Sequence, residues 1–245
     1  MPKRTSSFQL ASLIFGACIM SSLVSCGERH VASGGGNSAN PILRVDKVEG
    51  KYKVQFTPLN SSVSGYSLVA AKIKINKDQI IVRINAKEAP ASTLHAGAIY
   101  NAETCPFEIH DLNNDGFIDP LETYKVIGEA LIPLDGDLNS QEAGSDLFPY
   151  ADMMGAYLYE QTGVFSSMLS DLMSADFNPH DNLSKLARGE KLKLEGKVVV
   201  IHGVAEETYL PGSIQSIGQL SERVALPIAC GKIVRDDAES DTMDL

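Results

Sequence analysis

The stretch Asp111-Leu112-Asn113-Asn114-Asp115-Gly116-Phe117-Ile118-Asp119-Pro120-Leu121-Glu122 concentrates hard oxygen donors at regular intervals. Calcium takes about six to eight oxygens, and a twelve-residue loop supplies them when alternate side chains turn inward. Asp111, Asn113 and Asp115 fill the first ligand positions and the Phe117 carbonyl the next. Asp119 binds directly or through water, and Glu122 closes the shell with both oxygens. Gly116 stands where the chain must bend sharply, which a residue without a Cβ does cheaply. Ile118 anchors the loop to a core. The pattern Asp-x-Asp/Asn-x-Asp/Asn-Gly-x5-Glu is met without a mismatch, so one calcium ion is the expected cofactor. The competing reading is a solvated acidic turn that has this spacing by chance.

The flanks set the role of such a site. "CPFEI" before it contains Pro106 and is a poor helix, and "PLETYKVIG" after it gives one or two turns. The loop is therefore EF-hand-like but lacks the paired helices by which sensor proteins open and close. Stiffening a long inserted loop is the expected role, with a dissociation constant of about 10⁻⁴ to 10⁻³ M, as in extracellular modules.

The start of the chain points outside the cytoplasm. Lys3 and Arg4 precede an apolar run from Phe8 to Val24 that ends in Leu23-Val24-Ser25-Cys26. A basic start, a short apolar core and small residues describe an export signal. The last four residues resemble a bacterial lipobox, which makes Cys26 the lipidated residue and the membrane a partner through an acyl (palmitate-type) anchor. A plain secretory signal and a single membrane anchor are the alternatives, and Cys18 is a poorer lipidation site. Residues 1–25 are read as signal and 26–41 as lipidated cysteine and Gly/Ser/Asn-rich tether, which includes His30. The expected location is the outer membrane or cell surface of a bacterium, since no Asp follows Cys26 directly.

Removing Lys3 and Arg4 takes the formal net charge of −10 to −12. An acidic surface of this kind disfavours nucleic acid and anionic headgroups and suits cation binding. With Cys18 and Cys26 assigned to the signal and the lipid, Cys105 and Cys230 remain. In an oxidising compartment a disulfide is their default, and two buried free thiols are the alternative.

The elements that must hold these groups read mainly as strands. Residues 52–57, 67–75 and 79–86 alternate, and the last two form a hairpin across Asn76-Lys77-Asp78. Residues 129–134, 191–203 and 223–234 complete the set. Residues 164–173 pair Val164/Phe165, Met168/Leu169 and Leu172/Met173 at helical spacing, an amphipathic helix whose methionines are core packing. Residues 181–188 suggest a second helical turn, and the acidic end, 236–245, a frayed tail. There is no phosphate loop, and no Ser/His/Asp or Cys/His arrangement with usable spacing.

Two segments near the end carry a family resemblance. "GKVVVIHG" (196 to 203) followed by "LPIACGKI" (226 to 233) resembles the last two hallmark segments of copper/zinc superoxide dismutases. One delivers a copper-ligand histidine and the other half of a disulfide. The resemblance spans about residues 66 to 234 with large insertions, and "GDL" (136 to 138) and "FNP" (177 to 179) echo shorter fragments. The chain is also similar to bacterial secreted proteins that join this sandwich to one EF-hand loop. The resemblance implies an all-β, Greek-key β-sandwich over residues 42–235 with long loop insertions and one or two short helices. It also implies Cys105–Cys230 as the bridge and His202 as the match to the copper ligand.

The catalytic pattern is incomplete. His95 stands alone where the family has a His-x-His pair, and in the other register Ala98 and Tyr100 take those places. Pro227 replaces the arginine that steers superoxide. His110 follows Cys105 at the distance of a bridging ligand. His180, like the others, belongs to no zinc spacing. The expectation is a calcium-binding, lipid-anchored domain that leans non-catalytic and names no protein partner. The alternative is a copper or zinc protein, or a divergent dismutase, using His202 with His95 and His110.

Overall fold

The structure, a computed structural model, describes residues 49–65, 67–141, 148–174, 186, 190–216 and 220–236. The signal and lipobox with Cys26, the tether, His180 and the start of the sandwich range at 42–48 lie outside the described residues. So do the suggested turn at 181–188, except Leu186, and the acidic tail, except Asp236. Asp236 is held rather than frayed: its N–H donates to Lys51 O at 2.8 Å and its carboxylate pairs with Lys53 Nζ at 3.1 Å.

Among the described residues there are eight strands: β1 (Gly50–Pro58), β2 (Leu68–Asn76), β3 (Gln79–Lys87), β4 (Gly97–Tyr100), β5 (Ala130–Pro133), β6 (Tyr157–Val164), β7 (Val198–His202) and β8 (Pro227–Arg235). They hydrogen-bond in the order β5-β4-β7-β8-β1-β2-β3-β6, antiparallel throughout. The all-β expectation holds. The sandwich is one continuous ribbon of eight paired strands rather than two separate sheets. The chain passes between its halves at β3–β4, β5–β6 and β6–β7, the long returns that Greek-key connections require.

Alternation explains how this ribbon encloses a core. Val69, Ala71, Ile73 and Ile75 of β2 and Ile80, Val82 and Ile84 of β3 are buried, while Lys72, Lys74 and Arg83 take the other face. Tyr52 and Val54, Ile99, Ile132, Tyr157 and Tyr159, Val199 and Ile201, and Ile228 and Ile233 bring the other six strands into the same cluster. Strand β7 is buried on both faces, which is why its sequence is a continuous apolar run. Val199 and Ile201 enter the main core, whereas Val198 and Val200 join a second cluster with Leu59, Ile118, Ile127 and Cys230. That second cluster is the floor on which the loop at 111–122 rests.

Gly231 marks the tightest strand contact relevant here, because a Cβ on it would come 2.6 Å from Gln55 O of β1.

The expected helix is present as α3 (Phe165–Leu172), which follows α1 (Ser61–Ser64) and α2 (Pro120–Ile127) in the chain. It buries Phe165, Met168 and Leu172. Its free N-terminus is met by Asp78 of the β2–β3 turn, whose carboxylate accepts from Ser166 N and Ser166 Oγ at 2.7 Å each. Three expectations need correction. Residues 191–197 form no strand, although Leu192 and Leu194 are buried and Gly196 and Lys197 exchange backbone hydrogen bonds with Ile233 of β8, and residues 222–225 form a short helix, α4, before β8 begins. Strands β4 and β6 lie outside the stretches read as strands from sequence.

Candidate functional site

The loop at 111–122 is shaped by its own side chains. A 3-10 turn, Glu108–His110, leads into it, and α2 leaves it with Pro120 in its first turn. Asp111 Oδ1 accepts from Asp115 N at 3.1 Å and Asp111 Oδ2 from Gly116 N at 2.9 Å. Asn113 Oδ1 accepts from Asp115 N at 2.8 Å, and Asp115 Oδ1 from Phe117 N at 2.9 Å. These bonds coil the chain so that successive oxygens turn to one side. The bend requires positive φ at Asn114 (56°) and Gly116 (88°), residue types that tolerate it. Ser213 Oγ donates to Asp115 Oδ2 from a distant segment.

The exit is a reciprocal cap. Asp119 Oδ1 accepts from Glu122 N at 2.8 Å, and Glu122 Oε2 accepts from Asp119 N at 3.0 Å. Glu122 Oε1 reaches back to Leu112 N at 2.6 Å and Asn113 N at 3.2 Å. Both acids are 4% exposed. Burial first, then the charges of Glu122 and Asp115, push the Asp119 carboxyl above its ordinary range, against the downward pull of the Glu122 and Leu121 amides. Among the described residues no Lys, Arg or His forms an ion pair with a loop carboxylate.

The donors fit calcium in kind, being oxygens of the expected residues in the expected order. Their present arrangement is looser than a closed shell. Among the described residues no three His, Cys, Asp or Glu side chains converge closely enough to hold a metal ion. On the loop, Asp111, Asp115, Asp119 and Glu122 all accept hydrogen bonds from backbone N–H groups.

The loop is fastened at three points. Cys105 and Cys230 form the expected disulfide, with Cα atoms 5.8 Å apart and a sequence separation of 125. Ile118 is buried in the second cluster. Asn60, in left-handed conformation, bonds to the Ile118 backbone twice and to Pro227 O at 3.0 Å. Sequence reasoning missed Asn60 entirely; the only local signal was an Asn before a Ser-rich turn.

Among the described residues, His95, His110 and His202 form no comparable set. His95 is fully buried and stacked on Tyr157, with ring centroids 5.0 Å apart. Its Nδ1 lies 3.0 Å from His202 O and its Nε2 3.0 Å from Pro90 O, so both nitrogens face backbone carbonyls. His202 ends β7 at a register shift and lies 2.7 Å from Ala225 O through Nδ1. Nδ1 therefore carries the proton, and Nε2 accepts from Tyr100 Oη at 3.2 Å. Burial depresses the His202 pKa to about 4 and also lowers that of His95. It pushes the Tyr100 phenol up. Tyr100, the residue at the second place of the alternative His-x-His register, thus occupies the His202 nitrogen a metal would use. His110 accepts from Phe107 N at Nδ1, 3.0 Å away, and packs edge-on to the Phe107 ring. Pro227 is buried within β8 and supplies only its carbonyl to Asn60. Among the described residues, His95, His110 and His202 do not form a copper site as they are placed.

No protein-family model matches the chain, and no curated protein matches it. Among solved structures, the clock protein EA4 aligns over 77% of this chain and 96% of its own, with 12% identity and a TM-score of 0.38. A double mutant of a SOD-like protein from Bacillus subtilis aligns over 74% of this chain and 96% of its own, with 15% identity and a TM-score of 0.37. The fold itself is defined by the strand pairing described above.

Proposed function

We propose that this chain is a calcium-binding, non-catalytic extracytoplasmic domain, anchored by lipid at Cys26 and built on a sandwich of the copper/zinc superoxide dismutase type. The observation that carries the calcium reading is the set of four loop carboxylates, Asp111, Asp115, Asp119 and Glu122, without a basic partner among the described residues. Two are buried, and their mutual repulsion is what a divalent cation relieves. Asp111, Asn113, Asp115, Asp119, Glu122 and the Phe117 carbonyl would hold the ion.

Binding requires Glu122 Oε1 to leave the amides of Leu112 and Asn113. That exchange supports a weak site of about 10⁻⁴ to 10⁻³ M, suited to calcium-rich surroundings. A single short turn on one side and one helix on the other support a stiffening role over a sensor role. The dismutase-type reading draws on "GKVVVIHG", "LPIACGKI" and the Cys105–Cys230 bridge. The anchor reading draws on the basic start, the apolar run and Leu23-Val24-Ser25-Cys26.

Calorimetric titration of the oxidised protein with calcium tests the proposal, with Glu122→Gln as the control. One site in the stated range, abolished by the substitution, is expected. No binding, or submicromolar binding, overturns it. Stoichiometric copper that is lost in His202→Ala would overturn the non-catalytic reading. Metabolic labelling with palmitate, lost in Cys26→Ser, tests the anchor.

A further inference from the structure

The formal net charge of −10 conceals a segregation of charge that the strand registers expose. The side chains of β8, β1, β2, β3 and β6 that turn away from the core share one face of the ribbon. Pairing sets Lys53 opposite Lys72, and Lys72 opposite Arg83, in one row across β1, β2 and β3. Lys51 and Lys74 stand opposite one another in the next row. Lys232 and Lys87 extend the basic area on β8 and β3. Among the outward residues of these strands Glu160 is the acid, paired with Arg83, and Asp236 at the margin pairs with Lys53.

Facing like charges weaken a sheet, so three such pairs call for a reason. Lysines guard unpaired strand edges, but β1, β2 and β3 are each paired on both sides. Solubility is no reason either, since each added cation reduces a negative net charge. Aliphatic groups share the face. Leu68, 61% exposed, stands opposite Lys87, and Val234, 40% exposed, stands opposite Lys53. A broad array of cations interleaved with exposed aliphatic carbon matches a membrane surface. The cations meet headgroup phosphates, and the aliphatic groups enter the boundary beneath them. A linear polyanion calls instead for a groove along its path. Acids elsewhere on the chain do not cancel the face, because charges beyond about 8 Å are largely screened at physiological salt. The segment that leads from Cys26 also enters the domain at β1, the strand carrying Lys51 and Lys53.

We propose that the outer face of β1, β2 and β3 docks on the anionic headgroups of the membrane to which the chain is anchored. The choice of a bilayer rests on the anchor proposed above, whereas the attraction itself needs no acyl chain.

The full chain with Cys26→Ser, which cannot be acylated there, is sedimented with vesicles of phosphatidylcholine containing about 30% phosphatidylglycerol. Chelator keeps calcium from bridging the loop at 111–122 to phosphate. Binding should exceed that to phosphatidylcholine alone by about tenfold or more, and about 0.5 M salt should remove the difference. Lys72→Gln and Lys74→Gln should each weaken binding about fivefold, and Lys125→Gln, in α2, by less than about twofold. Either of the first two suffices if the other fails to fold. Equal binding to the two vesicles, or an equal loss in Lys125→Gln, overturns the proposal. Binding to dextran sulfate but not to anionic vesicles also overturns it and assigns the face to a linear polyanion. Binding that appears only when Asp237, Glu239, Asp241 and Asp244 are changed to their amides overturns it in favour of that acidic segment. Absence of palmitate labelling with vesicle binding intact would refute the anchor alone.

Discussion

Asn60 and Ile118 are joined by two hydrogen bonds: Asn60 Oδ1 accepts from Ile118 N–H at 2.8 Å, and Asn60 Nδ2 donates to Ile118 O at 3.0 Å. The side-chain amide thus does for the loop what a neighbouring strand would do, pairing both backbone groups of one residue. The same Nδ2 also donates to Pro227 O at the start of β8, so one amide ties the loop to the sheet.

Asn60→Ala should therefore cost about 2 to 3 kcal/mol, since it leaves the Ile118 amide and two carbonyls without these partners. Part of that cost is conformational, because Asn60 has φ of 50° and Ala tolerates this poorly. Asn60→Gly separates the two contributions: it removes the strain but not the lost bonds. Denaturant midpoints of the two variants, together with faster amide exchange at Ile118, check the prediction.

Asp119 should show opposite behaviour with and without calcium. Asp119→Asn keeps an oxygen to accept from Glu122 N, so the helix cap survives, while one of the crowded charges disappears. In chelator the variant should be more stable than the parent by about 1 kcal/mol, the usual scale of a single polar change. At calcium near ten times the parent's dissociation constant, the parent should gain about 1.4 kcal/mol and the variant clearly less. Thermal melts with and without calcium decide it. A variant less stable in chelator would show that the bonds made by the Asp119 carboxylate outweigh its repulsion from its neighbours.

The Cys105–Cys230 bridge closes a loop with a separation of 125 residues. Chain entropy alone then assigns it up to about 5 kcal/mol. The double variant Cys105→Ser with Cys230→Ser should lose a large part of this in urea unfolding. The slope of the unfolding curve should rise, because the unfolded chain without the bridge is less compact and exposes more surface.

His202 sets an acid limit on stability. Burial depresses its folded pKa to about 4 from an ordinary 6.5, so the unfolded chain binds the extra proton first as pH falls. Its stabilising effect is complete above pH of about 6.5 and is lost as pH drops through about 4, a change of about 3 kcal/mol. His95 is lowered in the same direction by burial and adds to the slope. His202→Gln should be less stable at neutral pH but flatter between pH of about 4 and 6.5. Melting temperatures of both proteins across that range test it, and parallel slopes would contradict it.

What could be read from sequence follows the range over which each signal acts. The β2–β3 hairpin was legible because Val69, Ala71, Ile73 and Ile75 share one face with Lys72 and Lys74 on the other, and the loop because all its side-chain donors are local. The β6 pattern was hidden, since Leu158 is 61% exposed and Val164 46% exposed, so apolar residues lie on both faces. In β4, Gly97, Ala98 and Ile99 are all buried and show no period at all. Residues 191–197 misled because Leu192 and Leu194 are buried at strand spacing outside any strand. The orientation of His95 towards two carbonyls, and the reach of Asn60 across 58 residues to Ile118, depend on chain packing that no local pattern encodes.

Asp119 and Glu122 each serve two structures at once: they start α2 by capping one another, and Glu122 also holds the amides of Leu112 and Asn113. Helix and loop therefore draw on one set of hydrogen bonds and should open as a single unit. Exchange of the α2 amides would then report on the loop as well as on the helix, with no probe placed in the loop itself.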